Sequence, residues 1–367
     1  MTLFDVSKQR AKQAAAATVP AALPLTRLCK KDEKRLERAG AFLLCAAVEA
    51  VRQAEWEPSE QTPIVLGTTS GGMTLGEAYY KQALAKPQRH RQQATRVNYY
   101  LAQTQAVMVS KALGLAGPLT IIANACASGA NAVGHACSLI WSGRADRVLA
   151  GGYDGLSQLV FSGFDSLQAL TPTQCRPFDA KRDGLGLGEG AGMLCLESLA
   201  RAHRRGAQVL GEIVGYGAST DVHHLTQPHP QGKAALQSMQ AACESARVRP
   251  NQIGYLNAHG TGTPLNDSAE AEAINTWAGE SVSNISVSST KGSIGHLLGA
   301  AGAVEIVICL MALKEGWLPP TAGVQETDPI CGFRLVREPQ EQKIEYALSN
   351  SFGFGGANAS ILLRRES

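Results

Sequence analysis

Apolar residues fall at helical spacing over the first long patterned stretch: Leu36, Ala39, Phe42, Leu43 and Val48 share a face and predict a helix from about Asp32 to Ala54. Residues 1–30 give no clear element, and AAAATVPAALPL reads as an irregular or wrapping arm. A short apolar strand at Pro63–Gly67 runs into the turn-rich TTSGG, and helical patterns follow over Gly71–Ala85 and Asn98–Leu113. Leu119–Ala123 is a continuous apolar run. The tight turn Asn124-Ala-Cys126-Ala-Ser128-Gly129 follows, then a small-residue helix that Ser142-Gly143 stops after Trp141. Ala145–Gly151 reads as another buried strand, which makes a strand–helix–strand unit of the parallel kind. Loop and strand residues continue to Glu197, and an Arg-rich helix ends at Gly206. Beyond it the pattern predicts strands at Val209–Gly217, Ile253–Ala258 and Ile285–Ser288, and helices at Gly232–Ala246, Ser268–Ala278 and Ala300–Glu315. Two last strands, near Glu345–Leu348 and Ala359–Leu363, bracket a glycine-rich turn.

The two halves echo one another. The segment 128–143 lies beside 301–316 at a constant offset of 173, pairing Gly129 with Gly302, Ala130 with Ala303 and Gly143 with Gly316. Each segment is a helix that follows a buried strand and a turn. A duplicated architecture with two similar facing sheets is therefore expected, split at about 1–208 and 209–367.

Composition narrows the class. With 367 residues, 44% apolar and 18% charged, the chain can bury a large α/β core. A net charge of +3 is too weak for a nucleic-acid footprint. One local run, Lys86, Arg89, His90, Arg91 and Arg96 beside Tyr99 and Tyr100, reads as a solvated helix end or as a docking patch for an acidic carrier protein. Nine cysteines, an odd number with no CxxC, and no apolar leader point to a reduced, cytoplasmic protein. The longest apolar stretch, Ala300–Leu313, contains Glu305 and is too short to span a bilayer.

Several positions can carry chemistry. Cys126 sits between a strand and a helix start, where unpaired backbone N–H groups favour thiolate, so its pKa is expected below the usual thiol value of about 8.5. The alternative, a small packed hydrophobe, suits Cys137, Cys195 and Cys309. His259 follows a buried strand in NAHGTGTP, and Thr261 and Thr263 can turn both hydroxyls to one side. His296 follows Lys291 by five residues, and Glu305 interrupts an apolar helix nine residues later. A buried carboxylate is costly unless paired, so a Lys291–Glu305 contact is expected. Each of these can also be read as a structural loop or capping residue. In Asn350-Ser-Phe-Gly-Phe-Gly-Gly-Ala-Asn358, Phe352 and Phe354 can line or plug a pocket. Gly184-Leu-Gly-Leu-Gly188-Glu-Gly190 lacks the context of a dinucleotide fingerprint and reads as a tight turn near the site, with Asp179, Arg182 and Asp183 as ion-pair partners. The histidine spacing matches no short metal motif.

Together ACASG, NAHGTGTPLND, STKGSIGHLLGAAGAVE and NSFGFGGAN resemble the four signatures of β-ketoacyl-[acyl-carrier-protein] synthases, the elongating type that is similar to synthase II and polyketide ketosynthases; RPFDAKRDGLGLGEGAGMLCLE matches as well. The resemblance implies a thiolase-like fold of two βαβαβαββ halves in αβαβα layers. It implies Cys126 as the acyl-accepting nucleophile, with His259 and His296 serving malonyl decarboxylation and condensation. Lys291 would orient the site with Glu305. Phe354 would act as a gate beside Phe352, its N–H joining that of Cys126 in an oxyanion hole. Thr261, Thr263 and Thr226 would hold the phosphopantetheine arm of an acyl carrier protein. No bound cofactor or metal is implied. The family's first Val/Ile-rich strand is not supplied by MTLFDVSKQRAKQAAAATVP, so that strand is expected to be missing. The partner is then a second copy or a ketosynthase-like, chain-length-determining subunit. The rival readings are a thiolase or starter-type enzyme, and a non-catalytic subunit.

Overall fold

The computed structural model describes residues 16–19, 36–59, 61–88 and 95–366. Two sheets organise them. The N-terminal sheet holds β1 (Ile64–Gly67), β2 (Leu119–Ile122), β3 (Arg147–Asp154) and β4 (Gly190–Glu197) in the order β2-β1-β3-β4. Its first three strands are parallel, and β4 runs antiparallel to β3. The C-terminal sheet holds β5 (Glu212–Thr220), β6 (Ile253–Asn257), β7 (Ser286–Ser288), β8 (Arg334–Leu335), β9 (Tyr346–Phe352) and β10 (Ala357–Arg364), ordered β8-β7-β6-β9-β10-β5. Here β8, β7, β6 and β9 are parallel, and β10 is antiparallel to both neighbours. The run β7-β6-β9-β10 repeats the order and sense of β2-β1-β3-β4. The extra edge strand β5 has no counterpart beside β4 among the described residues, and the stretch expected to lack the first strand lies mostly outside them. Most of the arm read from residues 1–30 lies outside the described residues. Of it, Ala16–Ala17 pair in parallel with Leu187–Gly188.

The principal helices are α1 (Arg38–Gln53), α2 (Met73–Ala85), α3 (Ala102–Leu113), α4 (Ser128–Trp141), α5 (Gln158–Ser166), α6 (Lys233–Ala246), α7 (Pro264–Ala278) and α8 (Ala301–Glu315). Alternation along the strands distributes them into layers. On β3, Val148 and Ala150 face a central cluster with Val133 of α4 and Ile306 and Leu313 of α8, whereas Leu149 and Tyr153 face Leu43 of α1 and Val109 of α3. On β9 and β10, Ala347 and Ile361 face the same central cluster, while Leu348 and Leu362 face Met239 of α6 and Ile274 of α7. The order is α–β–α–β–α, with α4 and α8 between the sheets. Small residues let these two helices meet. A Cβ on Gly129 would lie 2.6 Å from the Gly299 carbonyl oxygen, and one on Gly302 would lie 2.8 Å from Ala130.

The duplication extends to the backbone. Ala125 and Leu298, again 173 apart, both take left-handed φ, +57° and +55°, and each opens a short 3-10 turn that leads into α4 or α8. Gly143 and Gly316 end the helices at φ +70° and +72°. Sequence patterning misplaced some elements. α7 starts at Pro264, ahead of the expected Ser268, because proline at the first helical position is preset for the helix. α5 forms where loop is expected: Ser157 caps it by accepting from Val160 N–H at 3.2 Å, and Glu77 of α2 accepts the Gln158 and Leu159 N–H groups at 3.3 and 2.5 Å. Of the basic run, Arg89, His90 and Arg91 lie outside the described residues.

Candidate active site

Cys126 occupies the 3-10 turn Ala125–Ala127 at the C-terminal end of β2, two residues before α4 begins. The Ser128 hydroxyl ties this turn down, accepting from Asn124 N–H at 2.9 Å and donating to the Ala125 carbonyl at 2.5 Å. The thiol is 5% exposed. Burial pushes it up to about 12, against the lowering effects of Lys291 and its own backbone N–H. The expectation of a depressed pKa is therefore overturned, because removing the sulfur from water outweighs the partial charges at a helix start. The resting group is a thiol.

His259 follows β6 and His296 follows the short helix Lys291–Ile294, and the fold brings their rings together edge to face at 5.3 Å between centroids. Phe352 packs on His259 at 5.6 Å. Burial, then the charge of Lys291, pushes both imidazoles well below the ordinary value, so both are neutral. Lys291 is bonded to Glu305 of α8 as expected, and both side chains are almost wholly buried. This pair stands behind the histidines and does not line the cavity.

A cavity of about 380 Å³ collects most of the remaining candidates: Cys126, His259, His296, Phe352, Phe354, Thr226, Thr261 and Thr263 all line it. The Thr261 and Thr263 hydroxyls lie 2.8 Å apart, on one side as their spacing predicted. Thr226 enters from the loop after β5, where its N–H donates to His224 Nδ1 at 3.1 Å. Gly353 packs on the cysteine turn; a Cβ there would be 3.2 Å from the Cys126 nitrogen. Phe354 rests against Phe164 of α5 at 5.7 Å.

Four supporting residues escaped the sequence reading. Glu270 and Asp267, three apart on one face of α7, cradle the His259 loop. Glu270 accepts from His259 and Gly260 N–H at 2.8 and 2.7 Å, and Asp267 from Thr261 and Gly262 N–H at 2.9 and 3.1 Å. Burial raises Glu270 to about 7 against the hydrogen bonds it accepts. Their only sequence signal is acidic residues inside a helix that follows the HGTG turn. Asp154 and Phe164 gave no signal. The ion pairing expected near Gly184–Gly190 is different in detail. Arg182 pairs with Asp328 at 2.5 Å and Asp183 with Arg176 at 3.5 Å, while the Asp179 carboxylate accepts backbone N–H groups of Gln325 and Glu326.

Comparison with known proteins adds to this geometry. The β-ketoacyl synthase N-terminal domain matches residues 7–202 and the β-ketoacyl synthase C-terminal domain matches residues 210–325. The chain belongs to the β-ketoacyl synthase family. It is 38% identical over 347 residues to the 3-oxoacyl-[acyl-carrier-protein] synthase 2 of Staphylococcus aureus (strain COL), covering 92% of this chain and 84% of that protein. Among solved structures it is similar to the ishigamide ketosynthase/chain length factor, with TM-score 0.89 and 31% identity over 95% of this chain and 87% of that one. It is also similar to a type II PKS acyl-carrier protein in complex with its ketosynthase bound to the hexaketide, with TM-score 0.84, 29% identity, and 92% and 86% coverage. The fold is that of this family, thiolase-like. Among the described residues no cluster of three or more His, Cys, Asp or Glu could hold a metal ion, and no helix is long and apolar enough to cross a membrane.

Proposed function

We propose that this condensing enzyme parks an acyl group on Cys126 and joins it to a malonyl unit, both delivered on an acyl carrier protein, in fatty-acid or polyketide synthesis. The observation that carries the reading is the seating of one buried thiol and two neutral imidazoles in the wall of one cavity. In the first half-reaction the Cys126 sulfur attacks the acyl thioester carbon, and the carrier thiol leaves with the proton that cysteine loses. The N–H groups of Cys126 and Phe354 take the role of oxyanion donors, each typically worth about 3–4 kcal/mol in the transition state.

In the second half-reaction the bond between the malonyl carboxylate and its α-carbon breaks. CO2 departs and the electron pair passes into the thioester as an enolate. His259 and His296, being neutral, donate hydrogen bonds to the enolate oxygen without protonating its carbon. That carbon attacks the acyl carbonyl; the cysteine sulfur leaves and regains a proton, and a 3-oxoacyl carrier is released. Lys291 and Glu305 hold the electrostatic background behind the rings.

Thr226, Thr261 and Thr263 are suited to a polar pantetheine arm, since their hydroxyls line the route to Cys126. Phe354 is the gate and Phe352 the wall behind His259. The halves meet near residue 208. The partner is a second copy or a chain-length subunit lying against this chain. None of the eight described cysteines is in a disulfide, which suits a reducing, cytoplasmic setting. The presence of Cys126 in the cavity wall speaks against a non-catalytic subunit. The test is incubation with acyl carriers and malonyl carrier: 3-oxoacyl carrier and CO2 are expected in equal amounts, and neither forming with any acyl length would refute the assignment.

A further inference from the structure

We propose that Asp154 is a positioning residue for condensation: its carboxylate, anchored on the turn after β1, holds the Gly299 amide and through it the turn that carries His296. The inference rests on the condensation assigned above.

Asp154 ends β3 and is fully buried. Its Oδ1 accepts from the Thr68 hydroxyl and from the N–H and hydroxyl of Ser70, each at 2.8 Å; its Oδ2 accepts from Thr69 N–H at 2.8 Å and Gly299 N–H at 2.7 Å. No ion pair among the described residues includes it. A buried carboxylate without a cation is expensive, and here five donors from two separate segments offset that cost.

The internal duplication shows what the fifth donor does. Residue 299 is the counterpart of residue 126 at the offset of 173. In one half the left-handed Ala125 presents Cys126 to the cavity; in the other the left-handed Leu298 presents Gly299 to Asp154. A Cβ on Gly299 would lie 2.7 Å from Asp154 Oδ2 and 2.6 Å from Thr69 N, so the carboxylate fills the place where a second nucleophile's side chain would begin. Leu298 carries a Cβ in a conformation that disfavours one, and such a turn persists only when its surroundings fix it. Gly299 is fixed on both sides. Its N–H meets Asp154, and its carbonyl oxygen stands 2.6 Å from where a Cβ would sit on Gly129 or on Gly152. Gly129 lies three residues after Cys126 and Gly299 three after His296. One carboxylate thus sits where the two arms of the site are locked together. The charge also reaches the nucleophile, raising the Cys126 thiol, while Lys291 lowers it and Glu305 raises it.

The test is Asp154→Asn in the full chain, read in two ways. Condensation kcat is expected to fall at least about tenfold with KM for malonyl carrier changed less than about threefold, because the loss is of orientation and not of uniform binding. The pH profile of Cys126 alkylation by iodoacetamide is expected to move to lower pH at unchanged Tm, because the charge that raises the thiol is removed while the burial that raises it most is kept. Gly299→Ala keeps the charge but pushes the turn off the carboxylate; it should lose kcat without moving the alkylation profile. It also decides the matter by the kcat and KM split if Asp154→Asn does not fold. Wild-type kcat in either variant would overturn the proposal, as would equal loss of Cys126 acylation and condensation at unchanged Tm. If the unmodified enzyme condenses nothing, the functional assignment fails, and the alkylation shift still reports on Asp154.

Discussion

Glu270 holds His259 by its main chain: the carboxylate accepts the His259 N–H at 2.8 Å and the Gly260 N–H at 2.7 Å, leaving the ring to face its partner His296. Asn350 Nδ2 donates at 3.2 Å to Oε1, the oxygen that accepts the His259 N–H. Glu270→Ala would strand two buried donors, at a cost of about 1–3 kcal/mol each. Urea unfolding should show that loss, and condensation should fall more than acylation of Cys126. The carboxyl is held at about 7, above its unfolded value. A raised acid binds a proton in the folded state that the unfolded chain releases, so its contribution is lost as pH rises through 7. The stability of wild type relative to Glu270→Gln should therefore decline between pH 5 and 8; a constant difference would show that Glu270 does not titrate there.

Alkylation of Cys126 should be slow at neutral pH. With the thiol at about 12, the rate should climb about tenfold per pH unit from 7 to 10 without a plateau. Peptide mapping after iodoacetamide treatment measures it. A plateau near pH 8 would mean that a thiolate pre-exists in the resting enzyme.

Both histidines are buried neutral, with pKa values well below the unfolded value of about 6.5. Below that pH the unfolded chain takes up protons and the folded site does not, so stability falls as pH falls. The slope is up to about 1.4 kcal/mol per pH unit for each histidine. Denaturation of wild type and of His259→Ala/His296→Ala between pH 7 and 5 should show a shallower decline in the variant. Equal slopes would mean that the rings are protonated in the fold.

Lys291 and Glu305 separate stability from activity. Lys291→Ala leaves a buried carboxylate unpaired and should cost about 3–5 kcal/mol, read by urea unfolding. Lys291→Met/Glu305→Leu should recover most of that stability without recovering condensation. Restored turnover in the double variant would show the pair to be structural only.

The parts legible in the sequence were those written in short, local patterns. Cys126 and His259 each follow a strand at a glycine-marked turn, His296 follows Gly295 in a glycine-rich stretch, and the offset of 173 exposed the duplication. Lys291–Glu305 was legible because a carboxylate in an apolar helix demands a partner. Asp154 was not, since its meaning lies in backbone amides brought to it from segments far apart in the chain, and Glu270 was not, since an acidic residue in a helix does not announce the turn amides it accepts. Phe164 was hidden because α5 is only nine residues long and sits between loop segments, too short to stand out as a helix. The Cys126 error has one cause: a helix start was visible in the sequence, and the depth of burial was not.

The central claim is that Cys126 carries the acyl group before the carbon–carbon bond forms. Intact-mass measurement on protein mixed with an acyl carrier tests it most directly. The account predicts a mass gain of one acyl group, mapped to the Cys126 peptide, absent in Cys126→Ala and discharged as 3-oxoacyl carrier when malonyl carrier is added. A label on another residue, or condensation that persists in Cys126→Ala, would contradict it.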